Sequence, residues 1–184
     1  MIDAGAIADA LSAETDQPWG AIVAHGTAHL AGPGSAELYL HERDGRLLIH
    51  GNYGPAYGWR PRDAGIDRIG VAATATPDRI AREIRRRLLP GYLPALEAAR
   101  TAFERNEARV AAASAVLTEL LDLAGGRRAQ HTSDLEGYCH GGAVYRVKVS
   151  PRDECPTVQL ELRSLDVDVA RAVLVLLKGC RDAG

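Results

Sequence analysis

The dipeptide Asp44-Gly45 constrains this chain more than any other stretch. It separates two alternating segments, Glu37 to Glu42 (ELYLHE) and Arg46 to Gly51 (RLLIHG). Asp-Gly is favoured at the centre of a two-residue type I′ turn, where both residues take positive φ, so the segments read as one β-hairpin. A two-residue turn fixes the register. Leu40 then faces Ile49 and Tyr39 faces His50. Trp19 to Ala31 alternates as a further strand, with Ile22, Ala24, Gly26, Ala28 and Leu30 on a small-residue face. Setting Leu30 beside Leu38 brings His29 next to Tyr39 and Thr27 next to His41. The sheet therefore has an apolar face and a face rich in His, Tyr and Arg.

Helices flank these strands. Asp3 caps a short helix whose apolar face is Ala4, Ile7, Ala8 and Leu11. From Arg68 a short strand, with Ile69, Val71 and Ala73 inward, runs into a helix at Thr76-Pro77. Thr76 is a capping residue and Pro77 suits the first helical position. Ile80, Ala81, Ile84 and Leu88 form one face of this helix, Arg79, Arg82 and Arg86 the opposite arc, and Pro90-Gly91 its end. Residues 93–124 follow as a helix of about 45 Å, closed by Gly125-Gly126. RRAQHTSDLEGYCHGG reads as a polar loop. A second hairpin surrounds PRDECP, with Tyr145, Val147, Val149, Val158, Leu160 and Leu162 inward, and DVDVARAVLVLLK reads as a buried final helix.

These elements predict an α+β fold, antiparallel sheet packed by helices on one side. The joints GVAATATPDRIAREI and QLELRSLDVDVARAV rhyme, which suggests a tandem α–β-meander–α duplication with a long central helix. The expected units are residues 1–91 and 92–184, packed as one compact domain.

Charge and cysteine usage narrow the function classes. A formal net charge of -2 gives no global attraction to nucleic acid or membrane. The apolar run at residues 169–177 is too short to span a bilayer, and the first residues lack the pattern of a secretory signal. Cys139, Cys155 and Cys180 form no CxxC spacing, so a reduced, cytoplasmic setting is expected.

Four clusters carry possible chemistry. His25, His29, His41 and His50 share one sheet face, yet a metal needs imidazoles converging on one ion. His29 and His50, separated by Tyr39, stand about 9.5 Å apart on a flat sheet, so a solvated or partner-facing surface is the preferred reading and no metal is assigned. Cys139-His140, near His131, Asp134 and Glu136, has the residue types of a nucleophile and base, but a lone cysteine is more often inert. The glycine-rich pieces match neither a P-loop nor a dinucleotide fingerprint, and no cofactor is expected. The arginine stripe is either a phosphate-contacting face or a set of helix ion pairs, Asp78–Arg82 and Glu83–Arg87, and the second reading is preferred. Tyr53, Tyr57 and Trp59, interleaved with Arg60 and Arg62, make the best contact patch, since exposed aromatics and arginines are enriched at recognition surfaces.

The IADAL helix, the Trp-led strand, the Asp-Gly hairpin and TPDRIAREIRRRLLPGY together resemble small uncharacterised proteins of actinobacterial phages and mobile elements, over residues 1–95. Such a resemblance transfers no catalytic residue. The element order is also similar to type III secretion chaperones, apart from the strand at residues 68–74. Each unit resembles double-stranded RNA-binding domains in order, with ATPDRI and LDVDVA in place of that family's basic segment. The expectation is a non-catalytic accessory protein that binds a protein partner and self-associates as a homodimer. Its alternatives are a nucleic-acid binder using Arg79, Arg82 and Arg86, or an enzyme with a His/Cys site.

Overall fold

A computed structural model describes residues 2–24, 27–124, 127–128, 135–141, 143–151 and 156–163. The fold is α+β, with two antiparallel sheets and helices. The chain divides into two compact units, residues 1–104 and 105–184, with the boundary inside a long helix. The sequence pattern places that division at residue 91.

The first unit opens with α1 (Ala4–Thr15), capped by the Asp3 carboxylate, which accepts from the Ala6 N–H at 2.9 Å. Ala4, Ile7, Ala8 and Leu11 are buried, the face its spacing predicts. Five strands follow in a meander: β1 (Gly20–Ala24), β2 (Thr27–Ala31), β3 (Glu37–Arg43), β4 (Arg46–Asn52) and β5 (Arg68–Ala72), paired in that order. Asp44 and Gly45 have φ of 51° and 71°, the type I′ turn expected. Leu30 faces Leu38, His29 faces Tyr39, Tyr39 faces His50 and Leu40 faces Ile49, all in the predicted register.

One strand differs. Trp19 to Ala31 is not continuous; it folds back on itself, with Ala24 opposite Thr27 and Gly20 opposite Ala31. The fold-back changes parity, so Ile22 sits opposite His29 on the His/Tyr face, and Val23 sits opposite Ala28 on the apolar side. His25, expected on the same strand face as His29, lies outside the described residues.

The helix after β5 also departs from expectation. α2 (Pro77–Glu83) has Pro77 in its first turn, but Thr76 makes no side-chain cap. Ile80, Ala81, Ile84 and Leu88 are buried as predicted. Pro90-Gly91 does not end the helix. A π-turn over Ile84–Leu88 leads into α3 (Leu89–Ala124), which also contains Pro94. Proline has no N–H to give and its ring crowds the carbonyl four residues back. A π-turn widens the helix at that point, and the chain passes Pro90 without breaking. Gly91 has another task. A Cβ there would lie 2.9 Å from both the Ile66 nitrogen and oxygen, so its bareness lets the β4–β5 connection rest on the helix.

In the core of this unit, Leu30, Leu38, Leu40, Leu47 and Ile49 from the sheet join Ile7, Leu11, Ile84, Leu88 and Tyr92 from the helices. Each such aliphatic side chain contributes about 1.5–3 kcal/mol on burial. Phe103 packs at its margin. Arg100, which interrupts the apolar spacing of α3, donates to the carbonyls of Gly34 and Ser35 and so ties the β2–β3 connection to the helix.

In the second unit, Ala113, Leu117 and Leu121 of α3 pack with Val147 and Val149. Its sheet pairs β6 (Arg127–Arg128), β7 (Leu135–Gly141), β8 (Ala143–Ser150) and β9 (Thr157–Arg163) in sequence order. Two expectations need correction. The segment read as a polar loop contains β6 and β7, because backbone pairing with β8 overrides its polar composition. Val158 and Leu160 are exposed, not inward-packed, although they stand opposite the buried Val149 and Val147. The predicted final helix lies outside the described residues, as do His131, Asp134, Cys155 and Cys180.

Replacing Asp44-Gly45 with Ala-Ala adds a Cβ at Gly45, where φ is 71°, and removes the Asp44 side chain, which tolerates positive φ better than alanine. Strain of this kind costs about 1–3 kcal/mol, and denaturant unfolding should show a lower midpoint. An unchanged midpoint would contradict the turn geometry.

Candidate functional site

The connection from β4 to β5 carries the richest chemistry of the first unit. Asn52 starts it. Its Oδ1 accepts from the Gly54 N–H at 3.0 Å, closing a local turn, while its Nδ2 donates to Glu37 Oε2 (2.7 Å) and Tyr39 Oη (3.0 Å). A 3₁₀ segment, Gly54–Trp59, then turns the chain. Arg60 pairs with Asp67 across the base of the loop, and its guanidinium lies 5.8 Å from the Tyr53 ring centre and 5.4 Å from that of Tyr57. Cation–π contacts at this range hold the two aromatics and the arginine as one cluster.

These residues do not all face outward. Tyr53 is buried, in edge contact with Tyr57 and Tyr92. It is therefore a support for the loop and not a surface contact, contrary to its place in the predicted patch. Its hydroxyl has no hydrogen-bond partner among the described residues. Burial, and next the charge of Asp67, raise its pKa, against the opposing pull of Arg60. Tyr53 also lines a cleft of about 470 Å³ with Glu37, Asn52, Arg100, Phe103 and Glu104.

Tyr57, Trp59 and Ile66 are the residues the loop presents, at 65%, 42% and 58% exposure. Ile66 is absent from the predicted patch; an isolated isoleucine among loop residues gives no periodicity to mark it. Tyr57, Arg60, Arg62 and Asp67 line a groove of about 440 Å³. Arg60 is neutralised by Asp67, whereas Arg62 is exposed and has no ion pair among the described residues.

The arginine stripe is largely committed within the fold. Arg82 and Arg85 reach Glu14 of α1, at 3.7 and 3.1 Å, and Arg85 also donates to the Glu14 carbonyl. Arg86 and Arg87 both bond Glu83, each at 3.0 Å. The expected Glu83–Arg87 pair is present; Arg82 takes Glu14 in place of Asp78. The hydrogen bond from Arg87, followed by that from Arg86, lowers the Glu83 pKa. Of the predicted trio, Arg79 alone is without an ion pair among the described residues.

On the polar sheet face, His29, Tyr39 and His50 form a row of rings. Centroids are 4.2 Å apart for His29–Tyr39 and 5.4 Å for Tyr39–His50. Tyr39 stands between the two imidazoles, so they do not converge on one point, and His41 is exposed on the same strand as Tyr39. Among the described residues no group of three metal-binding side chains comes together. Cys139 and His140 are consecutive residues of β7, registered opposite Tyr145 and Val144. No described helix is long and apolar enough to cross a membrane.

No family model, no curated protein and no solved structure matches the chain.

The ring row gives the sheet a pH response. His50 has its pKa lowered from 6.5, first by burial and then by the adjacent Arg68. The unfolded chain therefore takes up this proton more readily than the folded one, and stability falls as pH drops through 6.5 toward the folded-state value. Unfolding midpoints of His50→Gln measured across this window should decline less steeply than those of the wild type. Parallel declines would remove His50 from the response.

Proposed function

We propose that the protein is a non-catalytic binding or accessory protein, of the phage or mobile-element type its first half resembles, acting through protein–protein contacts. The contact surface is the β4–β5 connection. The observation that carries this reading is the joint exposure of Tyr57, Trp59 and Ile66 on a loop held in place from beneath. Large apolar side chains so presented lose water on contact without first having to be ordered, and this favours binding. The loop is held by the Arg60–Asp67 pair, the Tyr53 ring and the close approach of Ile66 to Gly91. Arg62 beside the groove favours a partner segment with a carboxylate next to an apolar or aromatic side chain.

Nucleic-acid binding by Arg79, Arg82 and Arg86 draws less support. Phosphate binding requires free cations, and two of the three already pair with Glu14 and Glu83.

Selection from a displayed random-peptide library tests the reading. Enriched peptides should combine acidic and apolar residues, and should bind Tyr57→Ala/Trp59→Ala at least about tenfold more weakly, as for central contact residues. Peptides that bind this variant as well as they bind the wild type would overturn it. Retention of the wild type on duplex DNA at low salt, abolished in Arg79→Gln/Arg82→Gln/Arg86→Gln, would favour the nucleic-acid alternative.

A further inference from the structure

The two edges of the five-stranded sheet are built differently. At one edge, β5 carries Arg68, and the guanidinium of Arg46 donates to the Gly70 carbonyl at 3.2 Å. That carbonyl points away from β4. Gly51 donates to Asp67 and Ala73 to Gly45, so pairs 51–67 and 45–73 are hydrogen-bonded, and alternation leaves Gly70 facing outward. A charged side chain thus occupies an open backbone acceptor, one of the ways in which sheets prevent edge pairing.

At the opposite edge, β1 carries no such protection in its own residues. Its sequence, Gly20-Ala21-Ile22-Val23-Ala24, contains no charge and no proline. Ile22 and Val23 are 51% and 72% exposed, on opposite faces of the sheet. Among the described residues no strand pairs with its outer side.

The direction of its free backbone groups follows from the ladder. Gly32 donates to Ala36, so residues 28, 30 and 32 turn their polar groups toward β3, and residues 27, 29 and 31 turn theirs toward β1. The partners of these last three, Ala24, Ile22 and Gly20, are consumed by β2. Ala21 and Val23 are left with N–H and C=O outward.

We propose that this edge pairs with β1 of a second copy, antiparallel and in one register, to form a continuous sheet across a two-fold axis at Ile22. Open N–H and C=O groups in alternation are matched by an extended strand, and an isologous arrangement lets identical edges satisfy each other. Ala21 and Val23 exchange hydrogen bonds with the partner's Val23 and Ala21. On the apolar side this sets Val23 against the partner's Ala21. On the His/Tyr face the two Ile22 side chains meet as a non-hydrogen-bonded pair, where Cα atoms approach to about 4.5 Å. Every exposed apolar side chain of β1 gains a neighbour. Five residues of edge form a small interface, so the dimer dissociates on dilution.

Sedimentation over a wide concentration range should move from the 19.7 kDa chain mass toward twice that value. Val23→Pro removes only an outward N–H, and Ile22→Lys places two like charges on the axis. Both should stay near 19.7 kDa at every concentration while keeping the wild-type circular dichroism spectrum. Disulfide trapping tests the register. Ile22→Cys should cross-link on mild oxidation, because about 4.5 Å lies within disulfide range. Val23→Cys should not exceed the background set by Cys139, Cys155 and Cys180 of the wild type. A wild type that remains monomeric throughout would overturn the proposal, even if it captured a foreign strand peptide. So would a dimer that persists in both Val23→Pro and Ile22→Lys, or cross-linking at residue 23 but not at residue 22.

Discussion

Sheet and helix in the first unit meet at the Tyr92 side chain. Its ring packs against Gly51, where an added Cβ would come within 2.1 Å of a ring carbon. Its hydroxyl reaches the last rung of the β3–β4 ladder, where Glu37 faces Asn52. There it accepts from the Glu37 N–H at 3.2 Å and lies 2.7 and 3.0 Å from the carbonyls of Asn52 and Glu37. With one proton to give, it serves one carbonyl at a time. Burial raises its pKa, so the phenol stays protonated and remains a donor. Asn52 passes this constraint onward, to Tyr39 on the polar face and to Gly54 at the start of the exposed loop.

The loop is positioned from three directions, and two of them depend on the helix running unbroken past Pro90. Tyr92 and Gly91 lie just beyond that proline, and the π-turn over Ile84–Leu88 carries the chain through it. Tyr53 leans on Tyr92, Ile66 rests at Gly91, and Arg60 joins Tyr53 to Asp67. Rigidity below and apolar exposure above are the two features that favour a contact surface. Because four of the six arginines from Arg68 to Arg87 bind Glu14 and Glu83, that helix ties α1 to α2 more than it offers charge to a ligand.

Much of this was legible in the sequence where one local rule governs. Asp44-Gly45 set the β3–β4 register because a two-residue turn leaves no slack, and the face Ile80–Ala81–Ile84–Leu88 followed from helical spacing. The fold-back between β1 and β2 was not legible, since small residues alternate through it without interruption. That miss also placed Ile22 on the wrong face. Pro90-Gly91 misled because helix-stop rules weigh only local backbone geometry, whereas tertiary packing here favours a π-turn and a bare glycine. Burial separated Tyr53 from Tyr57 and Trp59, and nothing in their shared aromatic character distinguishes them in sequence.

The dependence of the sheet–helix junction on Tyr92 is open to a direct measurement. Gly51→Ala should be strongly destabilising in the wild type, because its methyl group meets the Tyr92 ring. In a Tyr92→Ala background the three closest contacts of that methyl group are gone. A double-mutant cycle by denaturant unfolding should therefore give a coupling of at least about 1 kcal/mol, with Gly51→Ala nearly neutral once the ring is gone. Additive losses would contradict the account, for they would mean that Gly51 and Tyr92 act on stability independently.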